Sequence, residues 1–451
     1  MRDRGNSRSI AETIAEKVAG AGGRAYCVGG FVRDKIMGRE NEDVDIEVHG
    51  ISPDVLKEIL GGLGTPLSFG QSFGIYTLAG SGVDVAMPRR EKKTGTKHTD
   101  FEVDIDPFIG TKEAAKRRDF TINALMEDIL TGEIIDHFGG LADIEAGVIR
   151  HVDDESFAED PLRVLRAAMF AARFGFIVAP ETTELCRGMD LSGLSRERVE
   201  GELKKALLGS EKPSVFFETL REMDQLDAWF PELKSLIGVE QDPVYHPEGD
   251  VWTHTMEVTD RAAKYRDRVS DPYSFMLLAL THDLGKTVTT EFVNGRIHAY
   301  DHENRGLPLA ETFIKRISGE KDVIRYVKNM LPLHMRPNMH AYSHPALKKT
   351  NRLFDEAADP EDLIWFSMAD RPLMAGDEPF SGDSGFLFER LERYREMMAR
   401  PHVTGKDLIE AGLFPDESFS DILAYAHKLR LAGVEKESAL KQTLAYARKK
   451  K

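Results

Sequence analysis

The sequence predicts a mixed α/β segment with a small sheet over residues 1–140, followed by an all-helical remainder. Three observations predict it. Ala25-Tyr26-Cys27-Val28 is a short apolar run ending in Gly29-Gly30, and Asp43 to Val48 alternates acidic and apolar residues, both patterns of strands. Strand signals become rare after residue 140. From there apolar residues recur at helical spacing, as in Leu162, Leu165, Ala168, Met169 and Ala172.

Taken in order, Ile10, Ile14 and Val18 mark an opening amphipathic helix that Gly20 to Gly23 ends. The strand 25–28 follows, then a helix from Phe31 to Met37 closed by Gly38, then the strand 43–48. Ile75–Leu78 and Val83–Ala86 are further strands, and Gly80-Ser81-Gly82 suits a tight hairpin between them. Arg117-Arg118-Asp119-Phe120 precedes an expected amphipathic helix containing Asn123. Helices run on from Arg196 to Trp229. A histidine-rich unit opens near Gly238 with His246, His254, His282, His298, His302 and His334. From about Phe380 the chain is again helical, with a helix start at Thr404-Gly405-Lys406-Asp407 and a basic end, Arg448-Lys449-Lys450-Lys451. The expected domains are residues 1–140, 141–237, 238–375 and 376–451.

With 451 residues, 41% of them hydrophobic and 30% charged, the chain can bury several cores. A formal net charge of -16 repels nucleic acid overall, so any RNA must be met by a local basic patch. The two cysteines, Cys27 and Cys186, have no metal-binding spacing, which suits a reducing compartment. Met1–Ser9 is polar, and no apolar run approaches a membrane span. A soluble cytoplasmic protein is expected.

Chemistry concentrates in the first segment. Gly29-Gly30 between strand and helix lets backbone amides approach a phosphate, and Arg33 follows on that helix. Asp43 and Asp45 share one strand face, because side chains alternate with period two. Hard carboxylate oxygens at that spacing suit Mg²⁺ shared with substrate phosphates. Arg117 and Arg118 can neutralise a triphosphate. Asp84 is a candidate third carboxylate if its strand runs beside the pair. Met87 to Lys97 is a basic, flexible-looking loop in an acidic chain. By themselves these residues imply phosphoryl or nucleotidyl transfer and leave the product open.

The string Gly29-Gly30-Phe31-Val32-Arg33-Asp34, then Asp43-Val44-Asp45, then Arg117-Arg118-Asp119-Phe120-Thr121-Ile122-Asn123, resembles the class II tRNA nucleotidyltransferases. These are the CCA-adding enzymes and their bacterial poly(A) polymerase relatives. The resemblance continues through Glu159-Asp160-Pro161-Leu162-Arg163-Val164-Leu165-Arg166 and Arg196-Glu197-Arg198-Val199-Glu200-Gly201-Glu202, over roughly half the chain. It implies a polymerase β-like nucleotidyltransferase head on a helical neck and body. It further implies that Asp43 and Asp45 hold two catalytic Mg²⁺ ions. Gly29, Gly30, Arg33, Arg118, Asp119 and Asn123 would hold the triphosphate and ribose of CTP or ATP. Asp160 and Arg163, oriented by Glu159 and followed by Arg166, would read the incoming base. The basic loop around Lys92 implies that A can be added. tRNA is the implied partner; addition of A only, of CC only, or poly(A) tailing are the alternatives within the family.

In the histidine-rich unit, His282-Asp283 ends the apolar run Phe275–Leu280, with His254 one helix upstream and Asp370 opening a polar turn after Trp365-Phe366-Ser367-Met368. This order resembles the HD phosphohydrolase superfamily. It implies metal ligation by His254, His282, Asp283 and Asp370, with His302 and His334 as supplementary ligands or phosphate contacts and Lys286 near a phosphate. The metal implied is a transition ion, Mn²⁺ or Ni²⁺. Leu284-Gly285-Lys286-Thr287 is no P-loop, because the earlier glycine that motif needs is Leu280 here. A phosphohydrolase whose head only binds nucleotide is the rival from another class.

Overall fold

The structure, a computed structural model, describes residues 4–41, 43–63, 66–67, 75–78, 83–93, 101–371 and 383–450. The expected Gly80–Gly82 hairpin, the Thr94–Lys97 end of the basic loop and Lys451 lie outside them. The chain forms two compact units, residues 1–206 with 215–228, and residues 207–214 with 229–451.

The first unit opens with α1 (Arg4–Gly20), whose Ile14 and Val18 are fully buried against a sheet. The sheet follows as β1 (Arg24–Val28), α2 (Gly30–Ile36), β2 (Val44–His49), α3 (Pro53–Gly61), β3 (Pro66–Leu67), β4 (Ile75–Leu78) and β5 (Val83–Ala86). The arm β6 (Arg89–Lys93) and β7 (Phe101–Ile105) comes next, then α4 (Thr111–Lys116), β8 (Met126–Asp128) and β9 (Ile134–Ile135). Seven strands lie in the order β3-β4-β5-β2-β1-β8-β9. β1 and β2 are antiparallel with Cys27 opposite Ile46, whereas β2 and β5 are parallel with Asp45 opposite Asp84. Cys27, Ile46 and Val85 point into the core on one face, and period two therefore sends Asp45 and Asp84 to the other.

Two sequence expectations fail here. No amphipathic helix follows Arg118; a single 3₁₀ turn at Thr121–Asn123 leads straight into β8, which pairs with β1. Phe120, Ile122, Ala124, Leu125 and Met126 are buried, and so are the polar Asp119, Thr121 and Asn123 beside them, so the segment has no solvent face and burial does not separate helix from strand. The basic loop is not a loop up to Lys93. It pairs as β6 with β7, in a register that sets Arg90 opposite Asp104 and Lys92 opposite Glu102.

The rest of the first unit is α5 (Gly140–Ala146), β10 (Val148–Ile149), α6 (Asp154–Ala158), α7 (Leu162–Phe174), β11 (Ile177–Val178), α8 (Pro180–Arg187), α9 (Arg196–Gly209) and α10 (Ser214–Glu222). The expected stripe on α7, Leu162 to Ala172, is buried along its length.

The second unit begins at α11 (Pro231–Lys234), α12 (Val251–Ala263), α13 (Pro272–Thr281) and α14 (Lys286–Thr289). A hairpin, β12 (Thr290–Val293) and β13 (Arg296–Ala299), precedes α15 (His302–Arg305), α16 (Leu307–Ile317), α17 (Lys321–Met330), α18 (Met335–Ser343), α19 (Leu347–Glu356) and α20 (Pro360–Asp370). α21 (Asp383–Ala399), α22 (Gly405–Glu410), α23 (Phe419–Leu431) and α24 (Lys436–Lys450) complete it. Asp370 ends α20 rather than opening a turn, because every residue from Asp362 to Asp370 is buried in the bundle and the helix is capped from Asp359. The start at Thr404 holds: Thr404 and Asp407 form a reciprocal capping box. Among the described residues no helix is long and apolar enough to cross a membrane.

Candidate functional sites

The first site lies where β1 gives way to α2. Gly29 stands at φ +68°, a conformation that costs a side chain strain, and a Cβ there would come within 3.2 Å of Arg118 Nη1 and 3.9 Å of Asp45 Oδ2. The bend, the guanidinium and the carboxylate thus face one small space. Asp43, Asp45 and Asp84 are all exposed. Crowding by the protein raises the Asp45 carboxyl above its ordinary value, Arg118 pulls it down, and Asp84 and Asp43 push it up again. That crowding of like charge is what a cation relieves.

Beneath this surface Glu47 continues the Asp43, Asp45 face but is buried. It accepts from His49 Nε2 at 2.9 Å and from Nη2 of both Arg117 and Arg118 at 3.4 Å. Burial would raise Glu47; the His49 hydrogen bond and the two guanidiniums outweigh it and hold its pKa at about 2. Both arginines therefore share one fixed anchor.

Arg33 and its neighbours form a buried chain of polar contacts. Arg33 donates through Nε and Nη2 to Asp34 at 2.8 and 2.6 Å and through Nη1 to Asn123 Oδ1 at 2.6 Å. Its guanidinium also lies over Phe174, 4.7 Å from the ring centre. Asn123 donates to Asp119 at 3.0 Å, and Asp119 accepts from Arg166 at 2.7 and 2.6 Å. Arg166 reaches on to Glu202 at 3.8 Å. Arg33, Asp119, Asn123 and Arg166 are thus committed to one another, tying α2 to α7 and α9. Burial raises Asp119, but Arg166 and Asn123 prevail and hold it below the ordinary carboxylate range.

The Asp160 carboxylate is gripped by Arg198 Nη2 at 2.9 and 2.8 Å. Arg163 donates to the Ser156 carbonyl at 2.6 Å and the Arg117 carbonyl at 2.8 Å. Glu159 ends α6 next to them, and all three side chains are half-buried.

The second site is closed. His254, His282 and Asp370 place ligand atoms within 4.8 Å of one another, as do Asp283, His302 and His334, and all six residues are buried. The two sets adjoin: His282 Nε2 lies 3.2 Å from Asp283 Oδ2 and 3.3 Å from Asp370 Oδ1. His282, His302 and His334 each give Nδ1–H to the carbonyl three residues earlier, Ala279, Ala299 and Leu331, at 2.9, 2.9 and 2.7 Å. A carbonyl only accepts, so Nδ1 carries the proton of each neutral ring and Nε2 turns its lone pair inward, toward carboxylates that cannot donate to it. Inward lone pairs beside buried carboxylates fit a metal ion. Burial lowers His282, yet Asp283 and Asp370 overrule it and favour a proton on its inner nitrogen, the proton a metal ion there would displace, whereas burial drives His334 down to about 4. Lys286 does not point to open space; it pairs with Asp283 at 2.8 Å and donates to Gln241 at 2.7 Å. Gly285 is needed for packing, since a Cβ there would collide with the His302 carbonyl.

Sequence reasoning gave no role to Glu47, Arg198, Glu202 or Glu248. Only Glu47 left a signal, as the third acidic position on the Asp43, Asp45 face. Among the described residues, every cluster of three metal-ligand atoms within 4.8 Å lies in the second unit; the third is His246, Glu248 and His254.

Residues 25–150 match the Poly A polymerase head domain. The chain is 42% identical over 296 residues to the multifunctional CCA protein of Nitrosococcus oceani, covering 65% of this chain and 70% of that one. It is 36% identical over 405 residues to the multifunctional CCA protein of Alkalilimnicola ehrlichii, covering 86% and 94%. Its fold resembles the Bacillus stearothermophilus CCA-adding enzyme solved in complex with CTP, with TM-score 0.68, 22% identity and 98% of each chain covered. It also resembles the Thermotoga maritima CCA-adding enzyme solved with tRNA, with TM-score 0.65, 21% identity, and 97% and 95% covered.

Proposed function

We propose that this chain, which belongs to the multifunctional CCA protein family, adds the 3′-terminal C, C and A to tRNA from CTP and ATP without a nucleic-acid template. The observation that carries the reading within the chain is the meeting of Gly29, Asp45 and Arg118 above the Asp45–Asp84 register. The transfer uses divalent metal, and the all-oxygen set of Asp43, Asp45 and Asp84 favours Mg²⁺. When bound there, such ions lend Lewis-acid stabilisation to the attacking and leaving oxygens.

The chain's own residues do the rest. Backbone at Gly29 and Gly30 and the Arg118 guanidinium receive the triphosphate, held in place by Glu47. The terminal ribose hydroxyl of the RNA attacks the α-phosphate and pyrophosphate leaves. Asp160 accepts from, and Arg163 donates to, the base edge, with Arg198 fixing Asp160. Arg33, Asp119, Asn123 and Arg166 position the wall behind them. These substrates place the protein's work in the cytoplasm. Extension of tRNA lacking its 3′ end, with each nucleoside triphosphate in turn, tests the product: C, C and A in order is expected. Addition of A alone, of CC alone or of a long A tail overturns it.

A second reading is favoured by the six converging donors of the second site. This unit is a metal-dependent phosphohydrolase acting on 2′,3′-cyclic nucleotides. The four imidazoles favour Ni²⁺, and the two carboxylates beside them admit Mn²⁺. Hydrolysis that survives both His254→Ala and Asp283→Ala sinks it.

A further inference from the structure

Four histidines face the second site, and three hold their outer nitrogen against a neutral backbone carbonyl on their own turn. His254 is the exception. Its Nδ1 lies 2.6 Å from the carboxylate oxygen Oε1 of Glu248, and its Nε2 faces Asp370 at 3.2 Å and Asp283 at 3.6 Å. Glu248 comes from the segment preceding α12, not from a bundle helix, yet its side chain is only 6% exposed and that of His254 only 1%. The same oxygen accepts from His246 Nδ1 at 3.0 Å, and the two imidazole rings meet edge to face. Burial alone would raise Glu248; the two histidine hydrogen bonds prevail and hold it far below the carboxylate range.

Both ring nitrogens face carboxylates, which only accept, and the Nδ1 contact is the shorter, 2.6 Å against 3.2 Å, so a neutral His254 keeps its proton on Nδ1 and turns the Nε2 lone pair to the centre. A full negative charge behind an imidazole also raises its donor strength more than a carbonyl does. The segment is itself pinned on both sides. Asp250 caps α12 by accepting from Thr253 N at 2.9 Å, and Gln241 accepts from Lys286, the partner of Asp283.

We propose that Glu248 is a positioning residue that orients His254 and strengthens it as a ligand, so that the segment before α12 sets the metal affinity of the second site. The inference rests on the proposed metal-holding role of that site. Ni²⁺ alone, titrated calorimetrically into the metal-stripped full-length protein, tests it. Glu248→Ala should weaken Ni²⁺ about 10- to 100-fold. Glu248→Gln keeps the shape and a neutral acceptor like the three carbonyls, and should recover part of that loss. The Gln variant also carries the test if the Ala variant does not fold, because it should still fall below wild type. Unchanged affinity in either variant, or a Gln variant no better than a folded Ala variant, overturns the proposal. Wild-type protein that takes up no Ni²⁺, or takes it up equally after His282→Ala, removes the metal reading itself. Wild-type uptake that only the Glu248 variants fail to weaken removes this inference alone.

Discussion

Asp45 in the first unit is exposed, whereas Asp283 in the second keeps 1% of its surface and is surrounded by His254, His282, His302 and Lys286. Both are aspartates that we assign to metal. The first site offers a few carboxylates on an open strand face and, on the proposed function, would be completed by what the substrate brings, as suits a reluctantly dehydrating ion shared with a triphosphate. The second holds its donors ready-made in the core, as suits a resident transition ion. On this assignment the first set of metal residues stands outside the core and the second is built into it.

The strongest way to break this contrast is Asp45→Ala, with Asp43→Ala beside it. Each should abolish nucleotide transfer, a loss of several kcal/mol of transition-state stabilisation or about 10³-fold and more. Because both side chains are exposed, the thermal midpoint should stay put. Wild-type-like extension by either variant rules out the carboxylate-pair mechanism. A large drop in the midpoint rules out the claim that the open site contributes nothing to folding.

Arg166→Ala should show the opposite profile. It leaves the buried Asp119 carboxylate without its guanidinium, a cost of about 3–5 kcal/mol when a buried pair is broken. Chemical denaturation reads it directly, and a change below 1 kcal/mol would show that Asn123 and water satisfy Asp119 unaided.

Metal alone should separate the units next. Ni²⁺ or Mn²⁺ at about a hundredfold excess over its dissociation constant should stabilise the second unit by about 2.7 kcal/mol, and a chelator should reverse it. Mg²⁺ without nucleotide should leave the first unit's melting unchanged. A comparable Mg²⁺ shift in the Asp160-bearing unit would mean that its site is preformed after all.

The contrast also explains what the sequence could disclose. Gly29, Asp43, Asp45 and the α7 stripe are local patterns, so turn chemistry, the strand period of two and the helical period found them. The buried chain from Arg33 through Asn123 and Asp119 to Arg166 was visible only as a set of resembling motifs. Its partners stand far apart in the chain, and reach one another only when α2 and α7 pack. Arg33 was read as a phosphate grip, and its Nε, Nη1 and Nη2 each donate to Asp34 or Asn123, contacts that no local pattern discloses. The segment after Arg118 misled because it is buried on every side, polar Asp119, Thr121 and Asn123 included. In the second unit the histidines were legible as a cluster. Glu248 was not, because a glutamate in a Pro247-Glu248-Gly249 stretch looks like a solvated turn until the fold buries it.

The smallest expected effect is the most diagnostic of how the open site is held. Glu47→Gln removes the charge that anchors Arg117 and Arg118 while keeping side-chain shape. Catalytic efficiency should fall about 10- to 100-fold, the usual cost of losing such a supporting contact. On the proposed role, Arg118 would meet the triphosphate in ground and transition state alike, so the loss should appear as a higher KM for CTP and ATP with kcat little changed. Asp45→Ala should instead lose kcat. If Glu47→Gln loses kcat at constant KM, Glu47 acts on the reacting carboxylates rather than through Arg118. If it changes neither, the two arginines are placed by their own backbone, and the rigid layer beneath the open site ends at Asp119.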